Sequence, residues 1–332
     1  MAGLLIRRWR HSFAGRVSAP LPGPPQFVRL WLDGGFAGAT QGVAGIPVTA
    51  PRPLPDGDGW LSWLGHSSFL VRLSGCTVAV DPVLSPRILG AGRRLTPPGL
   101  AQLPPVDLLL ISHNHYDHLD ALTVRTLRRD TSVIVPARLG RWFRWRGFTS
   151  VTELDWWEST RCAGLEVTFV PAHHWSRRGL FDHCATLWGG WVLSSAGGPR
   201  VYHAGDSAYG PFFGEIKTRC PGIDVAMLPV GTYAPRWFMQ NMHMDPEQAV
   251  QACSDVGARV MVPMHWGTFW LSREPALEPI ERTRAAWAAA GRARADLWDL
   301  AIGESRTLLN PPPAASPATW MPARSANNGS SE

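Results

Sequence analysis

The sequence predicts an α/β fold in which apolar strands are layered against helices and reactive side chains gather at one sheet edge. Two observations predict it. First, Val106-Asp107-Leu108-Leu109-Leu110-Ile111-Ser112 is an apolar run of strand length that breaks off into His113-Asn114-His115-Tyr116-Asp117-His118-Leu119-Asp120. Leu119, Leu122, Val124 and Leu127 then recur at roughly helical spacing, so a helix begins near 117–120. Second, four separate strand-like runs end in a potential metal ligand, at His113, His174, Asp206 and His265. Scattered core histidines would not show that bias, and open α/β sheets bind ligands at strand carboxyl ends.

The other elements follow in order. Residues 1–58 are rich in Pro and Gly, as in Ala19-Pro20-Leu21-Pro22-Gly23-Pro24-Pro25. They predict an extended arm with one short amphipathic piece at 28–32. If the first residues are helical, Leu5, Trp9, Phe13 and Val17 share a face beside several arginines, the pattern of an interfacial anchor. A frayed terminus is the equal alternative. The globular unit spans 59–309. It opens with strands at 60–65, 68–73 and 77–80, the last ending at Asp81-Pro82. A Pro/Gly/Arg-rich loop over 85–105 leads to the central strand. A strand at 132–136 completes a βαβ step, followed by a helix at 137–145 and a strand at 151–154. Strands at 165–172, 187–193, 200–204 and 225–230 come next. Asp245 and Pro246 open a helix running to Gly257. The run 259–264 delivers His265, and a helix at 279–290 and a strand-like piece at 297–302 close the unit. Residues 310–332, with Pro311-Pro312-Pro313 and a Ser/Ala/Asn tail, predict disorder.

The spacing in the metal-ligand loop carries chemistry. On extended backbone His113 and His115 point the same way, because side chains alternate with period two. Asp117 and His118 fall where the chain turns and can aim at a second point nearby. One loop can therefore serve two neighbouring ions, and imidazole with carboxylate suits zinc, with iron or manganese as alternatives. The competing reading, a polar loop capping a helix, explains one histidine better than three with an aspartate.

Composition excludes several classes. Apolar residues make up 45% with mean hydropathy −0.08, and no segment approaches the ~20 apolar residues of a membrane span. Net charge is +6, carried by arginine, since Lys217 is the only lysine. That balance permits phosphate-bearing or anionic lipid partners without selecting one. No basic stripe with interleaved aromatics is present, so nucleic acid is not expected as a partner. Cys76, Cys162, Cys184, Cys220 and Cys253 are scattered, without a C-x-x-C, as for reduced thiols. The amino terminus lacks the apolar core of a secretory signal. The expectation is a cytoplasmic protein, peripheral on the inner face of the membrane if the arm touches lipid, with a homodimer left open.

His113-x-His115-x-Asp117-His118 with single downstream His, Asp and His residues resembles the binuclear metallo-β-lactamase superfamily. Several strings resemble its N-acyl-phosphatidylethanolamine-hydrolysing phospholipase D branch. They are Trp63-Leu64-Gly65-His66, Leu154-Asp155-Trp156-Trp157, His174-Trp175, Ala204-Gly205-Asp206, Pro235-Arg236-Trp237-Phe238-Met239, His265-Trp266-Gly267-Thr268-Phe269 and Gly303-Glu304-Ser305-Arg306. The resemblance runs from about 60 to 309 and implies a four-layered αβ/βα sandwich, the metallo-β-lactamase fold. It implies two Zn2+ per chain: one on His113, His115 and His174, a second on Asp117, His118 and His265, and Asp206 bridging. His173 is the rival to His174, which is preferred because the family's ligand precedes a Trp. Asp117 would also orient or deprotonate the attacking water, and His243 matches a histidine of the substrate cavity. Met242 departs from the family's glutamine, which leaves headgroup contacts there open.

The implied function is hydrolysis of N-acyl-phosphatidylethanolamine to N-acylethanolamine and phosphatidate through a metal-bridged hydroxide. The alternatives are a same-fold hydrolase of another phosphodiester or a lactone, and a non-catalytic lipid-binding protein. A serine triad is not needed, and Gly-x-Ser-x-Gly is absent. His66 and Asp81 sit at strand ends, where they either orient the site or are ordinary loop residues. His203 reads as a core histidine, while His11 and His183 carry no argument beyond exposure. Trp175, Trp237, Phe238, Met239, Met242 and Trp266 either line an acyl pocket or belong to the core.

Overall fold

Along the first strands, alternate side chains enter two different cores. The computed structural model describes residues 12–35, 45–49, 54–88, 91–93 and 104–308. Its strands are β1 (Trp60–Gly65), β2 (Ser68–Leu73), β3 (Cys76–Val80), β4 (Arg87–Ile88), β5 (Ala91–Gly92), β6 (Leu108–Leu110), β7 (Ser132–Pro136) and β8 (Val151–Leu154). They continue with β9 (Ser159–Cys162), β10 (Leu165–Val170), β11 (Gly190–Ser195), β12 (Val201–His203), β13 (Val225–Pro229), β14 (Val260–Met264) and β15 (Ser305–Thr307). The helices are α1 (Pro24–Leu32), α2 (Ala121–Thr126), α3 (Gly140–Arg144), α4 (Phe212–Arg219), α5 (Arg236–Met239), α6 (Pro246–Asp255) and α7 (Glu278–Ala289).

Two large sheets result, in the orders β15-β1-β2-β3-β6-β7-β8 and β14-β13-β12-β11-β10-β9, with β4 and β5 as a small hairpin. Leu61, Trp63, Phe69, Val71, Val78, Val80, Leu108 and Leu110 join the core shared with the second sheet. Their neighbours Trp60, Leu64, Leu70, Ala79 and Leu109 pack instead with Val124 of α2 and Phe143 of α3. Both faces are covered, which is why these strands read as unbroken apolar runs. The helices α4, α6 and α7 contribute Phe213, Ala249, Cys253 and Trp287 against the second sheet. Helices therefore cover both sheets, in the αβ/βα order.

Register puts the strand ends at a common level. β3 and β6 are parallel with Val80 opposite Leu110. β12, β13 and β14 are parallel, with His203, Met227 and Val262 aligned. The edge is not that of one sheet, however. His113 follows β6 of the first sheet, whereas His174, Asp206 and His265 follow β10, β12 and β14 of the second.

Several elements differ from the expectations. Residues 12–35 do not extend away from the body. Phe13 is buried in the main core and its N–H donates to Cys184 O. Arg16 forks onto the Asp155 carboxylate, with Nη2 to Oδ2 at 3.1 Å, and its guanidinium lies over the Trp156 ring. The amphipathic piece is a full helix, α1, started by Pro24 and Pro25 and anchored by buried Leu30. Within the Pro/Gly/Arg-rich loop β4 pairs with β5, because two extended residues on each side suffice for one antiparallel contact. The piece at 297–302 is not a strand: Leu297 and Ile302 make isolated bridges, and β15 takes the edge beside β1. The short α5 and β9 carry too few residues to display a period. The residues Leu5, Trp9 and His11 and the tail 310–332 lie outside the described residues. Among the described residues no helix is long and apolar enough to cross a membrane.

Candidate metal centre

Three strand ends reach the site through a local backbone device. His265 follows β14 directly with φ 63°, a left-handed turn that swings its ring out of the strand direction. Asp81 does the same after β3 at φ 43°. Gly205 stands before Asp206 at φ 63°, and a Cβ there would lie 2.7 Å from Gly189 O. Glycine is what lets this turn approach so closely. Asp120 caps α2 by accepting from Leu122 N at 3.1 Å, which ends the metal-ligand loop.

The side chains converge in two sets. In the first, His113 Nε2 and His174 Nε2 lie 2.9 and 3.2 Å from His115 Nδ1. Asp206 Oδ2 lies 3.9 Å from His113 Nε2 and 3.8 Å from His174 Nε2. In the second, His118 Nε2 and His265 Nε2 each lie 3.1 Å from Asp206 Oδ1. Both also face Asp117 Oδ2, at 3.8 and 3.5 Å. Asp206 thus offers one oxygen to each set. His173 is elsewhere: its ring packs on Phe212 with centroids 4.6 Å apart and fills the space over Gly210. His243 groups with Asp206 and His265, and its buried Nδ1 has no hydrogen-bond partner.

The far nitrogens of four histidines are held by protein. His118 Nδ1 donates to Asp81 Oδ2 at 2.7 Å. His113 Nδ1 meets Ser112 Oγ at 2.9 Å, and that hydroxyl donates to Asp81. His174 Nδ1 donates to Met242 O at 3.0 Å, and His265 Nδ1 meets Thr232 Oγ1 at 3.1 Å. Such outer contacts set the tautomer and aim Nε2 inward. His66 Nε2 lies 3.1 Å from Asp117 Oδ2, which places it with Asp117, His118 and His265. His203 is a satisfied core histidine, bonded to Ser67 O and Gly205 N.

Two side chains that sequence reasoning missed support His265. Thr232, itself at φ 63°, is fixed by Glu274, whose carboxylate accepts from Thr232 N, from Ala234 N at 3.1 Å and from Ser272 Oγ. Thr232 could have been noticed, since it stands just past the apolar run 225–230. Glu274 leaves no signal in the sequence.

Electrostatics fits a cation. Burial pushes His66 and His115 down to about 3 and His174 to about 4, so these rings keep free lone pairs. Burial works against His265 and His118 too, but Asp206 and Asp117 outweigh it. They raise His265 to about 9 and His118 well above its ordinary range. Buried Asp206 and partly buried Asp117 are held well below the usual carboxylate range by His118 and its neighbours. The negative charge here calls for a positive partner, and a metal answers it without protonating the ligands. His118 Nε2, His265 Nε2 and Asp206 Oδ1 are also buried without a hydrogen-bond partner despite their 3.1 Å approach. Buried polar atoms are rarely left so, and a shared ion would satisfy all three.

Residues 77–266 match a family model described as a beta-lactamase superfamily domain. The chain belongs to the metallo-β-lactamase superfamily. Within that superfamily it is a metal-dependent hydrolase, and the family implies a divalent metal. It is 40% identical over 266 residues to an uncharacterized protein of Mycobacterium tuberculosis, covering 75% of this chain and 70% of the relative. It is 36% identical over 243 residues to N-acyl-phosphatidylethanolamine-hydrolyzing phospholipase D 1 of Caenorhabditis elegans, covering 67% and 68%. Among solved structures, a metallo hydrolase from the archaeon Ignicoccus hospitalis superposes with TM-score 0.57 at 27% identity. That match covers 76% of this chain and 98% of the other.

Two cavities meet at the metal centre of this superfamily member. One, of about 380 Å³, is walled by Phe27, Phe238, Met239, Met242 and His243. The other, of about 780 Å³, is bounded by Tyr116, Arg177, Arg178 and Leu180. His115, Asp117 and Trp175 line both.

Proposed function

We propose that the chain is a zinc-dependent phosphodiesterase of phospholipase D type, hydrolysing N-acyl-phosphatidylethanolamine to N-acylethanolamine and phosphatidate. The observation that carries this reading is the apolar chamber of Phe238, Met239 and Met242 opening directly onto His115, Asp117, His174, Asp206 and His265, five of the seven converging ligands. A site for a small polar substrate needs no such wall, whereas a lipid site does. The relative from Caenorhabditis elegans bears the matching name over two thirds of this chain.

His113, His115, His174 and Asp206 would hold one zinc, and Asp117, His118, His265 and Asp206 the second. When bound, such a pair neutralises phosphate oxygens and lowers the pKa of water from 15.7 toward about 7. Asp117 stays ionised, and His66 Nε2 on its Oδ2 fixes the carboxylate where it can accept a proton from the attacking water. Water oxygen bonds to phosphorus, the bond from phosphorus to the N-acylethanolamine oxygen breaks, and that oxygen takes up a proton. Burial keeps His243 neutral, with Nδ1 free at the chamber wall to hydrogen-bond the departing group. The apolar wall excludes bulk water and holds the acyl chain. Protein purified with zinc and given detergent-dispersed N-acyl-phosphatidylethanolamine should release N-acylethanolamine and phosphatidate by mass spectrometry. Asp206→Asn should abolish both. Intact lipid after incubation with metal-loaded protein would discard this substrate in favour of another phosphodiester or a lactone.

A further inference from the structure

The net charge of +6 is not spread evenly over the chain. Residues 121–153 hold seven arginines against Asp130 and Glu153, a net +5. In the sequence the densest part, Arg141-Trp142-Phe143-Arg144-Trp145-Arg146, is only a short run. The fold enlarges it. Val124 of α2 and Phe143 of α3 share one core with Phe148, on the same face of the first sheet. Arg129 lies 4.9 Å over the Phe148 ring, and its carbonyl accepts from Thr149 N at 3.3 Å. Arg125 and Arg129 of α2 therefore join the arginines of α3 in one surface.

Much of this charge is uncompensated. Among the described residues, Arg128 meets Asp130 and Arg144 meets Glu153, each at 3.2 Å, while Arg125, Arg141 and Arg146 form no ion pair. Burial and the neighbouring Arg125 hold the Arg146 guanidinium below its ordinary range. Like charge gathered in this way works against the compact state. Neither the metal centre nor the two cavities beside it use Arg125, Arg141 or Arg146.

Two of the arginines are nevertheless held in place. Arg146 lies 3.5 Å over the Trp142 ring and donates to Trp142 O at 2.9 Å. Arg141 lies 4.1 Å over the Trp145 ring. Stacking fixes the guanidinium plane and leaves edge N–H groups to grip a carboxylate in a fork. Beside them Trp145 is 74% exposed and Leu122 56%.

Three kinds of partner fit less well. Two separate apolar groups do not make the continuous stripe of a bilayer-inserting helix. Single-stranded nucleic acid needs open aromatic faces, and Arg141 and Arg146 already cover one face each of Trp145 and Trp142. A second copy of a chain with net charge +6 would be repelled. Exposed Trp and Arg together are the side chains that dominate contacts between proteins.

We propose that α2 and α3 form a docking surface for an acidic segment of another protein. Arg125, Arg141 and Arg146 pair with its carboxylates, and Trp145 with Leu122 packs on an apolar side chain between them. The inference does not depend on which substrate the metal centre takes.

Full-length protein is titrated into a short fluorescein-labelled peptide repeating Glu-Glu-Leu, with anisotropy as the readout. Binding should saturate and should weaken as salt rises, because exposed charges are screened. Arg125→Gln combined with Arg141→Gln should lower affinity about tenfold. Trp145→Ser leaves every charge in place and should also lower it about tenfold, with the salt dependence unchanged. Arg141→Lys keeps the charge but loses the fork, and should fall between the parent and Arg141→Gln. Metal content should match the parent throughout, since none of these side chains lines a cavity at the metal centre. No binding by the parent, or equal binding of a Gln-Gln-Leu repeat, would overturn the docking surface. Trp145→Ser that binds like the parent would reduce the patch to diffuse charge and overturn it too. Tighter binding of an oligothymidylate or of phosphatidylglycerol vesicles, lost in the same variants, would give the patch to nucleic acid or to a membrane instead.

Discussion

Asp81 Oδ2 accepts from His118 Nδ1 at 2.7 Å, and both side chains are wholly buried. The same carboxylate takes the Ser112 hydroxyl and, at Oδ1, the Ser112 N–H, and Ser112 Oγ holds His113 Nδ1. One aspartate that belongs to neither ligand set therefore aims a histidine in each of them.

Asp81→Asn keeps the shape and removes the charge. Metal affinity should fall by roughly 10- to 100-fold in competition with a chromophoric chelator. Affinity within a factor of two of the parent would show that Asp81 does not orient the ligands.

Glu274 acts at a distance through Thr232 on His265. Glu274→Gln replaces an acceptor oxygen by a donor facing other donors, so the loop must shift. Release of metal to excess chelator should quicken by about tenfold. Ser272→Ala, which removes one of three donors, should quicken it less. Equal rates in all three proteins would refute the relay.

Metal removal should cost stability as well as activity. Without an ion the converging carboxylates of Asp117 and Asp206 are stabilised chiefly by their histidines. Dialysis against EDTA should lower Tm by several degrees, since a ligand at 100 times its Kd adds about 2.7 kcal/mol. Zinc should restore the original value, and a Tm indifferent to both treatments would contradict a metal at this centre.

The clasp between Arg16 and Asp155 ties residues 12–35 to the body. Asp155→Asn should weaken it by about 1–3 kcal/mol, because Asp155 is almost fully buried. Limited proteolysis should then cut within 12–35 sooner than in the parent. An unchanged cleavage pattern would mean that Phe13 and Leu30 alone hold the segment.

Met242 lies in the apolar chamber by its side chain, while only its carbonyl serves His174. Met242→Trp should therefore leave metal content intact and fill the chamber. kcat/KM for long N-acyl chains should drop relative to short ones by at least about tenfold, the effect of one blocked methylene. Equal loss for all chain lengths would argue against a chain-binding role.

Much of this was legible because each signal is local. An apolar run followed by His113, His115, Asp117 and His118 states a strand, a loop and a ligand cluster within a dozen residues. The alternation of Leu61 and Trp63 with Trp60 and Leu64 was hidden, because two covered faces erase a polar period. Asp81 was ambiguous between an orienting group and an ordinary loop residue until its partners Ser112 and His118 were located. The docking of Phe13 and Arg16 was not legible, since proline-rich sequence says only that a segment is not helical throughout.

The sequence by itself determined which side chains can ligate and that they sit at strand ends, because strand length and ligand chemistry are properties of short segments. Only the tertiary structure decided that His113 comes from one sheet and His174, Asp206 and His265 from the other. It also decided that Asp206 faces both sets, that Glu274 supports His265, and that α1 stands beside the chamber. Those facts depend on register and on packing between residues far apart in the chain. No local pattern encodes such distances, which arise only when the two sheets close on a common core.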